Sequence, residues 1–321
     1  MNEATFSDAA LTTSRVVGTM RAVESGAFPT ADTACESSSG TMRIVRSTQV
    51  GRMCWYANDY LRILRQVPQS QRIHDFIVCD RDCKEANMGV FALAKSRKIL
   101  DERDRTVSVL PVNVGRHFQW VQYALRDRRA YDSKLPVAVW RGVSTSECWS
   151  SRSEAAAQRP ACARRNLAIR WTWANSTKVD VGLSNVVQVS NHSAVELRTL
   201  LKEPMKVKKM LRYKYLISVE GNDVATNLKW ALASTSVVFM PRPTRESFIL
   251  ESRLEPWVHY VPLDYNMHDL EAKVDYCENN NAHCRQISQT ATEYMQAFTT
   301  RKKLFHLGAK VYAQHFKKLA L

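Results

Sequence analysis

From Met42 onward the apolar residues come in short runs, separated by stretches in which they recur at helical spacing; residues 1–40, rich in Ala, Ser and Thr, show neither pattern. Short runs rich in β-branched and aromatic residues and bounded by turn formers predict strands. They occur at MRIVRS from Met42, at Phe76 to Cys79, and at VFALAKS (90–96) and TVSVLPV (106–112). They recur at VAVW from Val137, KYLISVE from Lys214, SVVFM from Ser236 and WVHYVPL from Trp257. Amphipathic stretches near Arg52 to Arg65, Phe118 to Arg128, Glu154 to about Ile169 and Asp223 to about Ala233, together with the segment running to the C-terminus, predict helices. Strands alternating with helices point to parallel α/β layers. The Arg-rich stretch RDRRAYDSKLP (126–136) reads as a linker, because the alternation restarts after it. The expected organisation is a poorly ordered tail over residues 1–40, an N-terminal α/β lobe over 41–133, a C-terminal α/β lobe over 134–298 and a basic helix over 299–321, with a cleft between the lobes. No internal repeat is visible.

Composition changes this picture only in charge. A chain of 321 residues, 45% of them hydrophobic, can bury a large core. The formal charge of +15 implies an anionic partner: a nucleotide diphosphate, a nucleic acid, a charged glycan or a membrane surface. The eight cysteines, Cys35, Cys54, Cys79, Cys83, Cys148, Cys162, Cys277 and Cys284, contain no CxxC pair and no zinc-site spacing, so they read as mostly free thiols in a reducing compartment. The first residues lack an uninterrupted apolar core of a signal peptide, and no segment approaches the roughly 18 apolar residues of a membrane span. The expectation is a cytoplasmic protein with at most peripheral membrane contact. Asn175-Ser176-Thr177 and Asn191-His192-Ser193 fit a glycosylation pattern that arises often by chance.

Five segments carry candidate chemistry. In KYLISVEGNDVATNLKWALASTSVVFMP (214–241) a buried strand meets a turn at Glu220-Gly221-Asn222 and then a helix with Asn222 and Asp223 as caps; free N–H groups at such a helix start bind phosphate. The ordinary alternative is a plain strand-turn-helix connection, since one glycine is weaker than a full phosphate-binding fingerprint. PVAVWRGVSTS (136–146) puts Arg141 at a strand end, with Gly142 permitting close backbone approach, or else a solvated arginine in a turn. Arg164 in ARRNLA could clamp a diphosphate through bidentate hydrogen bonds, although most surface arginines do not. RESFILESRLEPWVHYVPL (245–263) places Glu246 and Glu251 before a strand, where either could accept hydrogen bonds from sugar or ribose hydroxyls; His259 reads as a packed core histidine. A fifth segment, HDFIVCDRDCKE (74–85), holds Asp80 and Asp82 just past an apolar run, open to a metal role, a proton-transfer role or a solvated turn.

Taken in order, WRG, R-x-x-L, KYLI-x-x-x-G with NLKW and SVV, and L-x-PWVHYVPL resemble glycosyltransferase family 90, in its bacterial-type branch, from about Met42 to about Phe298. The resemblance implies two Rossmann-like lobes in a GT-B-like arrangement. It further implies a nucleotide-sugar donor, usually a UDP-sugar with glucose or xylose, and transfer by inversion to a hydroxyl of a glycan, lipopolysaccharide or glycoprotein. No metal and no cofactor are implied. No helix-turn-helix, zinc-finger or RNP-like aromatic pattern supports nucleic acid as a partner, so none is expected. Carried over by position, Asp82 is the general base with Asp80 its neighbour. Arg141 and Arg164 face the donor diphosphate, and Gly221, Asn222, Asp223, Val224, Ala225 and Thr226 cradle it. On the reading of the residues themselves, Gly142, Asn227, Glu246 and Glu251 are grouped with this donor side. This chain departs from the eukaryotic branch in having Asn227 where that branch has an arginine, a cation for which Arg242 or Arg245 could substitute. Two rivals remain open: a metal-dependent GT-A-type transferase holding a divalent cation on Asp80 and Asp82, and a non-catalytic protein binding anionic glycans or membrane through the basic segment RKKLFHLGAKVYAQHFKKLAL (301–321).

Overall fold

The computed structural model describes residues 33–38, 41–46, 59–60, 62–63, 65–68, 77–79, 92–99, 108–146, 148–149, 158–189 and 191–319. The chain divides into two compact units, Met1–Asn113 with Phe305–Leu321, and Val114–Leu304. In the first unit β1 (Thr33–Ser38) and β2 (Thr41–Arg46) pair antiparallel as a hairpin, so part of the expected tail is strand. Three short strands, β3 (Ile77–Cys79), β4 (Ala92–Ala94) and β6 (Ser108–Val109), form a parallel sheet in that order, and β5 (Ser96–Lys98) follows β4.

The second unit is built on a five-stranded sheet whose pairs are all parallel. Its strands are β7 (Leu135–Val143), β8 (Val179–Asn185), β9 (Tyr213–Ile217), β10 (Val237–Pro241) and β12 (Val261–Leu263), in the order β12-β10-β9-β7-β8; β11 (Arg245–Ser247) lies outside this sheet. A parallel sheet is covered on both faces, so its central strands read as unbroken apolar runs rather than alternating ones. That is the case for β10, buried at every position, and for β9 from Tyr215 to Ile217. Tyr215, Ile217, Val237 and Phe239 share one core with Leu167, Val181, Val274 and Ile287. The helices of this unit are α1 (Val114–His117), α2 (Val121–Leu125), α3 (Ala163–Trp171), α4 (Asn191–Arg198), α5 (Val207–Met210), α6 (Leu228–Leu232), α7 (Leu270–Asn279) and α8 (Asn281–Met295); α9 (Arg301–Leu319) follows them.

Several expectations differ from what forms. Strand β8, VDVGLSN in sequence, and helices α4 and α5 form where the apolar pattern predicts no element. The segment 126–136 is no free linker, because Tyr131 and Lys134 are both buried and the 3₁₀ turn Tyr131–Ser133 leads directly into β7. Four of the cysteines expected as free thiols are joined, Cys148 to Cys162 and Cys277 to Cys284. Sequence separations of 14 and 7 fit no short motif, so only the folding of the chain brings the sulfurs together. Disulfides persist in oxidising surroundings, and the cysteines therefore lend no support to a reducing compartment. Among the described residues no helix is long and apolar enough to cross a membrane.

Candidate donor site

In open parallel sheets ligands bind outside the carboxyl ends of the strands. A shallow cavity opens there in the second unit, beyond β9 and β10, and the empty space in it amounts to about 390 Å³ when the open solvent at its mouth is counted. Ser218 and Glu220 reach it from the end of β9, Met240 to Pro243 and Arg245 from the end of β10, and Val224, Ala225 and Leu228 from the loop and helix between them; Glu251 and Tyr265 close the wall. The polar content is one pair of arginines, two carboxylates, a phenol and a hydroxyl set in an apolar frame.

Glu220 follows the apolar run of β9, and its carboxylate is fully engaged. One oxygen, Oε1, accepts the backbone N–H groups of Thr244 at 3.0 Å and Arg245 at 3.1 Å; Oε2 accepts the Thr244 hydroxyl at 2.5 Å. Burial raises its pKa, and the three hydrogen bonds oppose that shift. The Tyr265 hydroxyl donates to the Arg242 carbonyl at 3.0 Å, so the segment carrying both arginines is tied at each end. Glu251 is almost without solvent: it accepts the Ser247 N–H and, at 2.7 Å, the Ser247 hydroxyl, and it lies 3.5 Å from the buried Lys229 ammonium. The residue before it, Leu250, has φ 55° and ψ 66°, a left-handed conformation that a leucine adopts only when its surroundings impose it. Glu246 is also buried but accepts the Ser252 hydroxyl instead.

The expected cradle over 221–227 has a different local form. Helix α6 begins at Leu228, not at Asp223, so Gly221 to Thr226 is loop. The Gly221 N–H donates to the Asp223 carbonyl at 3.1 Å, and the Asn222 amide donates to Gln188 at 2.6 Å. Asn227 occupies the cap position with its side chain turned back to β9: Nδ2 donates to the Ile217 carbonyl at 2.9 Å, while Oδ1 accepts from Ser218 at 3.1 Å. It fastens the helix start to the strand end and brings no cation. Of this group Val224 and Ala225 border the cavity, and Thr226 is exposed.

The two arginines singled out from sequence are held by protein. Arg141 donates through Nη2 alone to both carboxylate oxygens of Asp180, at 2.8 and 3.0 Å, and through Nε and Nη1 to the carbonyls of Glu203, Trp140 and Asp180. Arg164 donates through Nε to the Glu220 carbonyl, through Nη1 to the Val143 carbonyl and Thr145 hydroxyl, and through Nη2 to the Val219 carbonyl at 2.7 Å. It thereby clasps the carboxyl end of β7 to that of β9. Burial lowers its pKa to about 10, against the opposing effect of the Glu220 charge. Gly142 and Gly221 are both sterically required, since a Cβ would lie 2.4 Å from the Trp140 ring at the first and 2.6 Å from the Thr145 hydroxyl at the second.

Arg242 and Arg245, considered from sequence only as substitutes, are thus the arginines bordering the cavity. Glu220, Thr244 and Tyr265 were missed, although an acidic residue directly after an apolar strand run, as in KYLISVE, was a readable signal. His259 is half-buried and not a core residue; its Nδ1 accepts the Glu255 N–H at 3.1 Å, and burial lowers its pKa. Asp80 and Asp82 lie outside the described residues.

Residues 105–319 match the family model for glycosyl transferase family 90. The chain belongs to that family. It is similar to the O-glucosyltransferase LpsA of Dichelobacter nodosus, with 31% identity over 225 residues, 70% of this chain and 62% of the relative. This family 90 chain is also similar to protein O-glucosyltransferase 2 of Danio rerio, at 25% identity over 58% of the chain and 33% of the relative. The chain therefore spans less than two-thirds of the length of either. Among solved structures it aligns with TarM at a TM-score of 0.41 and 12% identity, covering 71% of this chain and 44% of that one.

Proposed function

We propose that this family 90 chain is a glycosyltransferase that moves a sugar, glucose or xylose, from a UDP-sugar to a hydroxyl of a glycan, lipopolysaccharide or glycoprotein acceptor, with inversion and without a metal. The observation that carries the reading is the pair Arg242 and Arg245 bordering a cavity at the carboxyl ends of β9 and β10. Transfer of this kind breaks the bond between the anomeric carbon and the diphosphate oxygen, and the electron pair leaves on the diphosphate. Fixed cations at that point stabilise the charge as it develops, with little reorganisation. The acceptor oxygen attacks the opposite face of the sugar and loses its proton to a carboxylate, for which Asp82 is the proposed group. A positioned base of this type contributes about 10²–10⁴-fold.

A panel of nucleotide sugars, assayed for transfer and for slow hydrolysis with and without EDTA, tests the reading. The expected result is turnover of a UDP-sugar that EDTA leaves intact, and its loss in Asp82→Asn with UDP binding retained. Turnover abolished by EDTA and restored by Mn²⁺ would replace it with the metal-dependent mechanism, and near-normal turnover of Asp82→Asn would remove Asp82 from its role. Failure of every donor to bind would leave a non-catalytic glycan- or membrane-binding protein.

A further inference from the structure

We infer that Glu220 is a positioning residue for the donor: its carboxylate fixes the backbone of the segment Arg242 to Arg245, the segment that brings both arginines to the border of the cavity. The inference rests on the proposed function, in which that cavity takes a nucleoside diphosphate. Two adjacent peptide N–H groups, those of Thr244 and Arg245, converge on one carboxylate oxygen, and the Thr244 hydroxyl takes the other. Consecutive amides aimed at a single atom set the orientation of the peptide plane between them. Pro241 and Pro243 restrict φ on either side of Arg242, and Tyr265 holds the Arg242 carbonyl. The segment is thereby ordered before any ligand arrives, which removes an entropic cost from binding.

The sign of the charge separates this role from a direct one. A carboxylate beside a diphosphate site repels the ligand, so its negative charge is a disadvantage there and its acceptor geometry is the useful property. Glutamine keeps a carbonyl oxygen for the two N–H groups, offers an amide hydrogen to the Thr244 hydroxyl and lacks the charge. Alanine keeps none of these. Glu220→Gln and Glu220→Ala are therefore expected to diverge.

The test is calorimetric titration of wild-type protein and both variants with UDP, each first shown to unfold cooperatively. Glu220→Ala is expected to bind UDP about tenfold more weakly or worse, and Glu220→Gln as tightly as wild type or more so. Thr244→Val removes one of the three hydrogen bonds without emptying space; a roughly threefold loss is expected, and this variant carries the test if Glu220→Ala does not fold. Unchanged affinity in folded Glu220→Ala, or in Thr244→Val where that variant stands in, overturns the inference while leaving the proposed function in place. Equal loss in Glu220→Gln and Glu220→Ala also overturns it, because the charge would then be what matters. A wild-type protein that binds no nucleoside diphosphate overturns the proposed function and this inference together.

Discussion

Replacing Lys229 by methionine removes one half of an ion pair that is almost dry. The Lys229 and Glu251 side chains are 2% and 1% exposed, with Nζ 3.5 Å from Oε1, and the ammonium also lies 5.6 Å from the centre of the Phe118 ring. Methionine fills most of the same space, so the perturbation is the loss of charge. Breaking a buried pair by deleting one partner costs about 3–5 kcal/mol, because the other charge is left uncompensated. Glu251 retains the Ser247 N–H and hydroxyl, which places the expected cost at the low end, about 3 kcal/mol. For a unit of this size each kcal/mol lowers the midpoint by about 2–4 °C, so thermal unfolding followed by circular dichroism should fall by about 6–12 °C. Adding Glu251→Gln removes the stranded charge while keeping an acceptor for Ser247, and the double variant should recover about 2 kcal/mol of the loss. A single variant within about 0.5 kcal/mol of wild type, or a double variant equal to the sum of its singles, would refute the assignment of this pair as an uncompensated-charge problem.

Gly221→Ala would place a Cβ 2.6 Å from the Thr145 hydroxyl and 2.9 Å from Arg164 Cζ, and Arg164 is held by three carbonyls; a loss of about 1–3 kcal/mol in urea unfolding is expected, and an unchanged midpoint would contradict the clasp. Burial lowers the pKa of Lys134 from 10.5 to about 8, against the attraction of Asp127. Between those two values the unfolded chain binds the proton that the folded chain has lost, so stability rises with pH across this window, by about 3 kcal/mol. Lys134→Met should lack that rise in urea midpoints measured from pH 8 to pH 10.5, and a wild-type slope in the variant would assign it elsewhere.

The alternation of apolar runs and helical spacing in the second unit was readable because its strands are covered on both faces. β7, β9 and β10 all lie where an unbroken apolar run stands in the sequence. β8 escaped for the opposite reason: at the sheet edge it carries Asp180 and Gly182 between Val179, Val181 and Leu183, and a short alternating run is a weaker signal. The helix after β9 is shorter than its sequence pattern predicts, since GNDVATN suits either a cap or a loop. Asn227 decides between them by bonding backward to Ile217, a contact with no local signature. The disulfides were illegible in kind, because partners 7 and 14 residues apart become neighbours only when α7 meets α8 and when the segment before α3 returns to the end of β7.

The site was legible as a place and not as a set of contacts. Glycine at Gly142 and Gly221 marked the carboxyl ends of β7 and β9, and the structure puts a cavity at that edge of the sheet. Arginine could not be read in the same way. A guanidinium at a strand end has two competing uses, to meet an anion or to satisfy carbonyls that the sheet no longer pairs, and residue type does not distinguish them. Arg164 takes the second course, and this has a consequence for the rest of the site. By drawing the carbonyls of Val143, Val219 and Glu220 together it sets the direction in which the chain leaves β9, hence where the Glu220 side chain begins. Glu220 in turn sets the backbone that carries Arg245. The position of the cavity-lining arginine therefore depends on an arginine that does not line the cavity. Arg164→Lys, which keeps the charge but offers one donor atom for three, should weaken UDP binding through loss of that order and not through loss of charge.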